Sequence, residues 1–163
     1  MLLTSETARK QEAEEKLLDA YMTQCDKLLD SMRDASPAEA GRIELHLEYA
    51  LMCCPHLPMA FRQKTMVLAR AYECSANMRA AGVVLQQALH LARDDDWNGR
   101  NERLAEGRLL SSKAIALGAN QYFQHAVRHK IENIMLTGGV GRHGPTAARP
   151  WFGSPESQRD AKS

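Results

Sequence analysis

Between residues 65 and 93 the chain sets small and large apolar residues at helical spacing, and this stretch limits the fold more than any other. Leu68-Ala69 is followed by Tyr72, then by Ser75-Ala76-Asn77, then by Ala81, Leu85 and Ala88-Leu89. The spacing predicts two helices folded back on each other at Ser75-Ala76-Asn77. Ala69, Ala81 and Ala88 are small enough to let the two backbones approach, and Tyr72 and Leu85 would fill the space between them. Paired helices of this kind build surfaces that hold other proteins, which points away from an enzyme.

The rest of the chain agrees with a helical fold. Its 163 residues suffice for a real core, and 44% hydrophobic with 25% charged residues is ordinary for a folded domain. Aromatics are only 6%, while Ala and Leu are abundant, which favours helix over sheet. A net charge of +1 creates no field that would draw nucleic acid or anionic lipid. No apolar run is long enough to cross a membrane. Residues 1–16 turn polar and acidic almost at once, unlike a secretory signal or a transit peptide, so the expected compartment is the cytosol.

Apolar residues at Leu17, Leu18, Tyr21, Cys25, Leu28, Leu29 and Met32 step by three and four, predicting a long first helix over about 5–33. Ser36-Pro37-Ala38-Glu39 restarts the chain with an N-cap Ser, a Pro at the first helical position and the Glu of a capping box. The second helix should reach about Cys53, with Ile43, Leu47, Ala50, Leu51 and Cys54 toward the core. Pro55 and Pro58 then force an extended break. After the two helices of 59–93 comes a polar loop at Asp94-Asp95-Asp96. A fifth helix is expected over about 101–117, a C-cap at Gly118, and a sixth helix over about 121–136. Residues 138–163 hold five of the ten glycines and three of the six prolines, the composition of a disordered tail. The expected architecture is all-α: an irregular α-solenoid or bundle of about six antiparallel helices over 1–137, with one tetratricopeptide-like hairpin, then the tail.

Several stretches together resemble the C-terminal helical region of the coatomer alpha subunit, the large scaffold of the COPI vesicle coat. Lys10-Gln11-Glu12 opens the helix that reaches Tyr21, Arg42, Glu44-Leu45 and Tyr49 precede Cys53-Cys54, and Leu57-Pro58 forms the break. Leu68, Asn77, Ala80-Ala81 and 85–91 then fall in the corresponding helical pair. The similarity covers about residues 8–93. It implies a component of a vesicle coat, cytoplasmic or peripheral at Golgi and vesicle membranes, with another coatomer subunit as partner. The chain departs from that family in two ways. It has nothing that could form the cargo-reading β-propellers. Gly138-Gly139 and the tail stand where the family has a cysteine-bearing segment that binds the epsilon subunit.

Patterns that carry chemistry are weak. His125 and His129 lie one helical turn apart, but Ala126 follows His125 where a zinc protease has its Glu, and no third ligand is near. Asp94-Asp95-Asp96 lacks the alternation and terminal Glu of a calcium loop and reads as a cap for the next helix. Cys25, Cys53, Cys54 and Cys74 fit no metal or disulfide framework and read as small buried residues. No catalytic, cofactor-binding or metal-binding residue is assigned, and no nucleic-acid partner is expected: the tail has four cations against two anions, a net of +2.

The expected function is therefore a non-enzymatic scaffold or adaptor. Its working groove is flanked by Tyr72, Asn77, Arg79 and Gln86, with Trp151-Phe152 as a peptide anchor in the tail that Ser154-Pro155 phosphorylation would modulate. The alternative is a self-associating helical protein, a homodimer through the 17–32 stripe, with no coat role.

Overall fold

The computed structural model describes residues 5–138. The described residues are all-α, five helices with no strand: α1 (Ser5–Met32), α2 (Pro37–Cys53), α3 (Met59–Arg93), α4 (Trp97–Ala116) and α5 (Gln121–Leu136). The expected tail over 138–163, with Trp151 and Phe152, lies outside the described residues except for Gly138.

Helix ends form where the local chemistry puts them. Ser36 accepts a hydrogen bond from the Glu39 N–H at 3.3 Å, with Pro37 at the first helical position of α2. Asn120 accepts from the Phe123 N–H at 3.1 Å to start α5. α4 stops in a Schellman motif: Gly118 takes φ +109, its N–H reaches the Ile115 carbonyl, and the Ala119 N–H reaches the Ala114 carbonyl. α3 ends the same way, with Asp95 at φ 58 in the glycine-like position and the Asp96 N–H on the Leu91 carbonyl. Asp96 immediately caps α4, accepting from the Gly99 N–H at 3.0 Å. α4 therefore begins at Trp97, four residues before the expected start.

The expected hairpin is corrected by α3, a single helix of 35 residues in which Ser75, Ala76 and Asn77 are all helical. Five helices stand where six were expected. Ser and Asn each disfavour helix by only about 0.5 kcal/mol. No proline lies between 59 and 93, and Gly82 is the one glycine there. Against that small penalty, α3 is buried on both sides of the segment, through Ala69 and Ala76 on one helical face and through Ala81, Leu85, Ala88, Leu89 and Ala92 on another. Each fully buried leucine is worth roughly 2 kcal/mol, so continuation wins. The alanines that suggested two touching helices mark where α3 meets other elements: Ala69 sits in one core and Ala88 in another.

The chain divides between Ala76 and Asn77 into two compact units. In the first, α1 and α2 pack around Cys25, Leu29, Met32, Leu47 and Leu51, closed by Leu57 and Ala69. The Tyr21 hydroxyl donates to the Ala50 carbonyl at 3.0 Å, and Arg62 Nη2 donates to the Cys54 carbonyl at 2.5 Å, satisfying the end of α2. Residues 5–17 of α1 are exposed on every side, with a Lys16–Glu12 ion pair at 3.4 Å.

In the second unit, Leu85, Leu89 and Ala92 of α3 meet Leu104 of α4 and Val127, Ile131 and Ile134 of α5. Gly107 permits the closest approach there: a Cβ on it would lie 2.5 Å from Leu85 Cδ2. Gly138, just past α5, has φ +79, and a Cβ there would lie 2.5 Å from the Ala92 carbonyl oxygen and 3.1 Å from the Trp97 ring.

Candidate protein-docking surfaces

The residues expected to flank a groove divide in two. Tyr72 is half-buried against the core of the first unit, its ring 5.9 Å from the Arg33 guanidinium carbon. Asn77 is 2% exposed. Neither lies on an open surface, because helical periodicity turns both inward. Arg79 and Gln86 do come together, on the outer face of α3, where with Gly82, Val83, Gln87 and His90 they line an open hollow of 710 Å³. Trp151 and Phe152 lie outside the described residues.

The α3 hollow is mostly apolar although nothing in its own unit fills it. Val83 is 58% exposed at its centre, and Met78 is half-buried at one end. Gly82 beside them has no heavy atom within 4 Å of where a Cβ would stand. At 100° per residue Arg79, Val83, Gln87 and His90 fall on the side of α3 away from Leu85, Ala88 and Ala92, with Gly82 and Met78 at the edge toward Leu85. Lys130 of α5 donates to Gln86 Oε1 at the rim, and His90 shares a hydrogen bond with Gln86 Nε2 at 3.3 Å. A second, more polar hollow of 470 Å³ lies on α5 beside Lys130, lined by Ala126, His129 and Leu136 among others.

In the first unit a different face is open. Leu45, Tyr49 and Met52 of α2 are 66%, 71% and 79% exposed. Their spacing of four and three places them within about 60° on the helix, roughly opposite Leu47 and Leu51. Tyr49 shares a hydrogen bond with the Cys53 thiol, and that bond pushes its phenol above the ordinary range. This stripe was readable in the sequence as the apolar residues of α2 left over once Ile43, Leu47, Ala50 and Leu51 are assigned to the core. The apolar stripe of α1, by contrast, is used within the chain: Cys25, Leu29 and Met32 are buried and Leu18, Tyr21 and Leu28 half-buried.

The side chains with chemistry stay dispersed. Cys25 and Cys74 are buried, and burial pushes both thiols up, away from the reactive thiolate. Cys54 is half-buried, and Cys53 is exposed rather than buried as expected, because it follows Tyr49 by one turn on the outer side of α2. His125 and His129 are exposed on α5. Among the described residues no three His, Cys, Asp or Glu come together in a way that would hold a metal. The Arg108 guanidinium of α4 is held down to about 10 by burial and by the nearby Arg100 charge, and Arg100 itself stacks on Trp97 at 4.6 Å. No helix among the described residues is long and apolar enough to cross a membrane. No protein-family model matches the chain, and no match was found among curated proteins or solved structures.

Proposed function

We propose that this chain is a non-enzymatic helical scaffold, an irregular solenoid or bundle that holds a protein partner on the outer face of α3. The observation that supports this best is Gly82. A glycine in a helix interior costs about 1 kcal/mol relative to alanine. Among the described residues nothing packs into the space it leaves. A glycine beside an exposed valine, in an apolar hollow, suits the close approach of another backbone. Burying Val83 and the aliphatic stems of Arg79 and Gln86 would supply the affinity, at about 25 cal/mol per Å² of apolar surface. On the resemblance to the coatomer alpha subunit, the partner class is another coat subunit, met in the cytoplasm or at Golgi and vesicle membranes.

The test immobilises the full chain, exposes it to cytosolic extract and compares wild type with Val83→Glu and Leu45→Glu. A carboxylate forced into the centre of an apolar interface costs about 2 kcal/mol or more, roughly thirtyfold in affinity. Val83→Glu should therefore lose the retained proteins while Leu45→Glu keeps them. Retention that survives Val83→Glu removes the α3 face from this reading. A retained set without coat subunits removes the coat assignment.

A second reading, self-association, is favoured by the stripe of Leu45, Tyr49 and Met52. It places the self-pairing face on α2 rather than on α1, where Cys25, Leu29 and Met32 are buried in the core.

A further inference from the structure

We propose that the partner held on the outer face of α3 is an acidic amphipathic helix, about three turns of which lie across the seam between α3 and α5. The inference rests on reading that face as a docking surface, and it names the chemistry of what docks there.

Two hollows meet at the seam. Gln86 lines the one on α3 and Lys130 the one on α5, and the Lys130 ammonium donates to Gln86 Oε1 between them. The exposed surface on either side of that bridge is apolar or small: Val83 and Gly82 on α3, Ala126 on α5, and Leu136, 53% exposed, at one end. Leu85 and Leu89 share one core with Val127 and Ile131, so the two helices are held together before any partner arrives. Arg79 to His90 is eleven residue steps and Ala126 to Leu136 is ten, so each side runs about 15–17 Å along its helix. A helix of about 11 residues matches that length. The described residues form helices without a strand, so an extended partner has no sheet edge to join.

The rim carries mainly one sign of charge. From Cys74 to Arg93, α3 holds Arg79 and Arg93 and no Asp or Glu; the next acid, Asp94, follows the helix. α5 holds Arg128 and Lys130 against Glu132. The two stretches together have four cations and one anion, a net of +3, in a chain whose total is +1. Arg79, Arg93 and Arg128 are all exposed. A partner helix with an apolar stripe on Val83 and Ala126 therefore meets cations along both flanks. Carboxylates there are attracted, and ammonium groups in the same places are repelled.

Fluorescence anisotropy with the full-length protein tests this with two labelled, helix-forming peptides of about 15 residues. Both carry leucine at i, i+3, i+4 and i+7; one has glutamate on each flank of that stripe and the other lysine. The glutamate peptide should bind about tenfold tighter or more, and should weaken as salt is raised. An Arg79→Glu, Lys130→Glu pair should reverse the preference. The milder Arg79→Gln, Lys130→Gln pair should shrink it, and it carries the test if circular dichroism shows the first pair unfolded. Equal binding of the two peptides, binding of neither, or a preference unchanged in the variants overturns the proposal. So does competition by a single-stranded oligonucleotide as effective as that by unlabelled glutamate peptide, which makes the face a general polyanion site. A dimer that Val83→Glu dissociates in sedimentation gives the face to a second copy and also overturns it. Extract capture separates this inference from the one beneath it. Capture lost in Val83→Glu but unchanged in Arg79→Gln, Lys130→Gln leaves a docking surface whose partner is not acidic. Capture unchanged in both removes the docking surface itself.

Discussion

Two glycines, each inside a helix, illustrate how differently one residue type can be used. Gly107 is buried because Leu85 leaves no room: a methyl there would sit 2.5 Å from Cδ2 of a side chain itself 2% exposed. Gly82 meets nothing. The same substitution should therefore have opposite signs. Gly107→Ala forces Leu85 from its place and should destabilise by about 1–3 kcal/mol. Gly82→Ala removes backbone freedom from the unfolded chain and should stabilise by about 0.5–1 kcal/mol. Urea unfolding of the two variants beside wild type measures both, and a loss of stability in Gly82→Ala would mean that its hollow is needed for folding. Neither role was legible in the sequence, because a glycine in a helix looks the same whether a neighbour or nothing faces it. Gly118 was legible, since a glycine just past the end of an apolar period has a local meaning as a helix C-cap.

The same division between local and distant causes runs through the elements. The starts of α2 and α5 and the ends of α4 and α5 could be read from sequence, because a cap is decided by four or five neighbouring residues. The fate of Ser75-Ala76-Asn77 could not. Those residues weaken a helix slightly without stopping one, and the choice is made by what Ala69, Ala76 and Ala81 pack against. Alanines spaced for close approach are compatible with a hairpin's own partner helix and with any other. Proline distinguishes the two: Ala76→Pro would be tolerated in a turn, but in a continuous α3 it removes a hydrogen bond and clashes with the preceding turn, costing about 3 kcal/mol or more. A drop in thermal midpoint with loss of helical circular dichroism is the expected result. Wild-type stability would restore the hairpin. The start of α4 has a local cause: Asp96, within the acidic loop expected to cap the next helix, completes the end of α3 and opens α4 within one residue.

At the scale of the molecule, the open faces are what distinguish a scaffold from a self-associating protein. The α1 stripe packs Cys25, Leu29 and Met32 into the core while Leu17 stays 70% exposed, and the α2 stripe is the apolar remainder of a segment already credited with a core face. If that second stripe joins two copies, Tyr49→Glu should abolish the association, and sedimentation equilibrium should then give 18.2 kDa where wild type gives twice that mass. A wild-type chain that sediments as a monomer at all concentrations assigns Leu45, Tyr49 and Met52 to some other role. The outer half of α1 carries a different consequence. Residues 5–17 bury nothing, and a free helix of that length is marginal in water because starting one is costly. The packed half, from Leu18 to Met32, supplies the starting turns, and the exposed half grows from it one residue at a time. Its order is thus borrowed, fading toward Ser5, and a change in the Cys25–Leu29 packing would be felt as unwinding far up the helix, at its first turns.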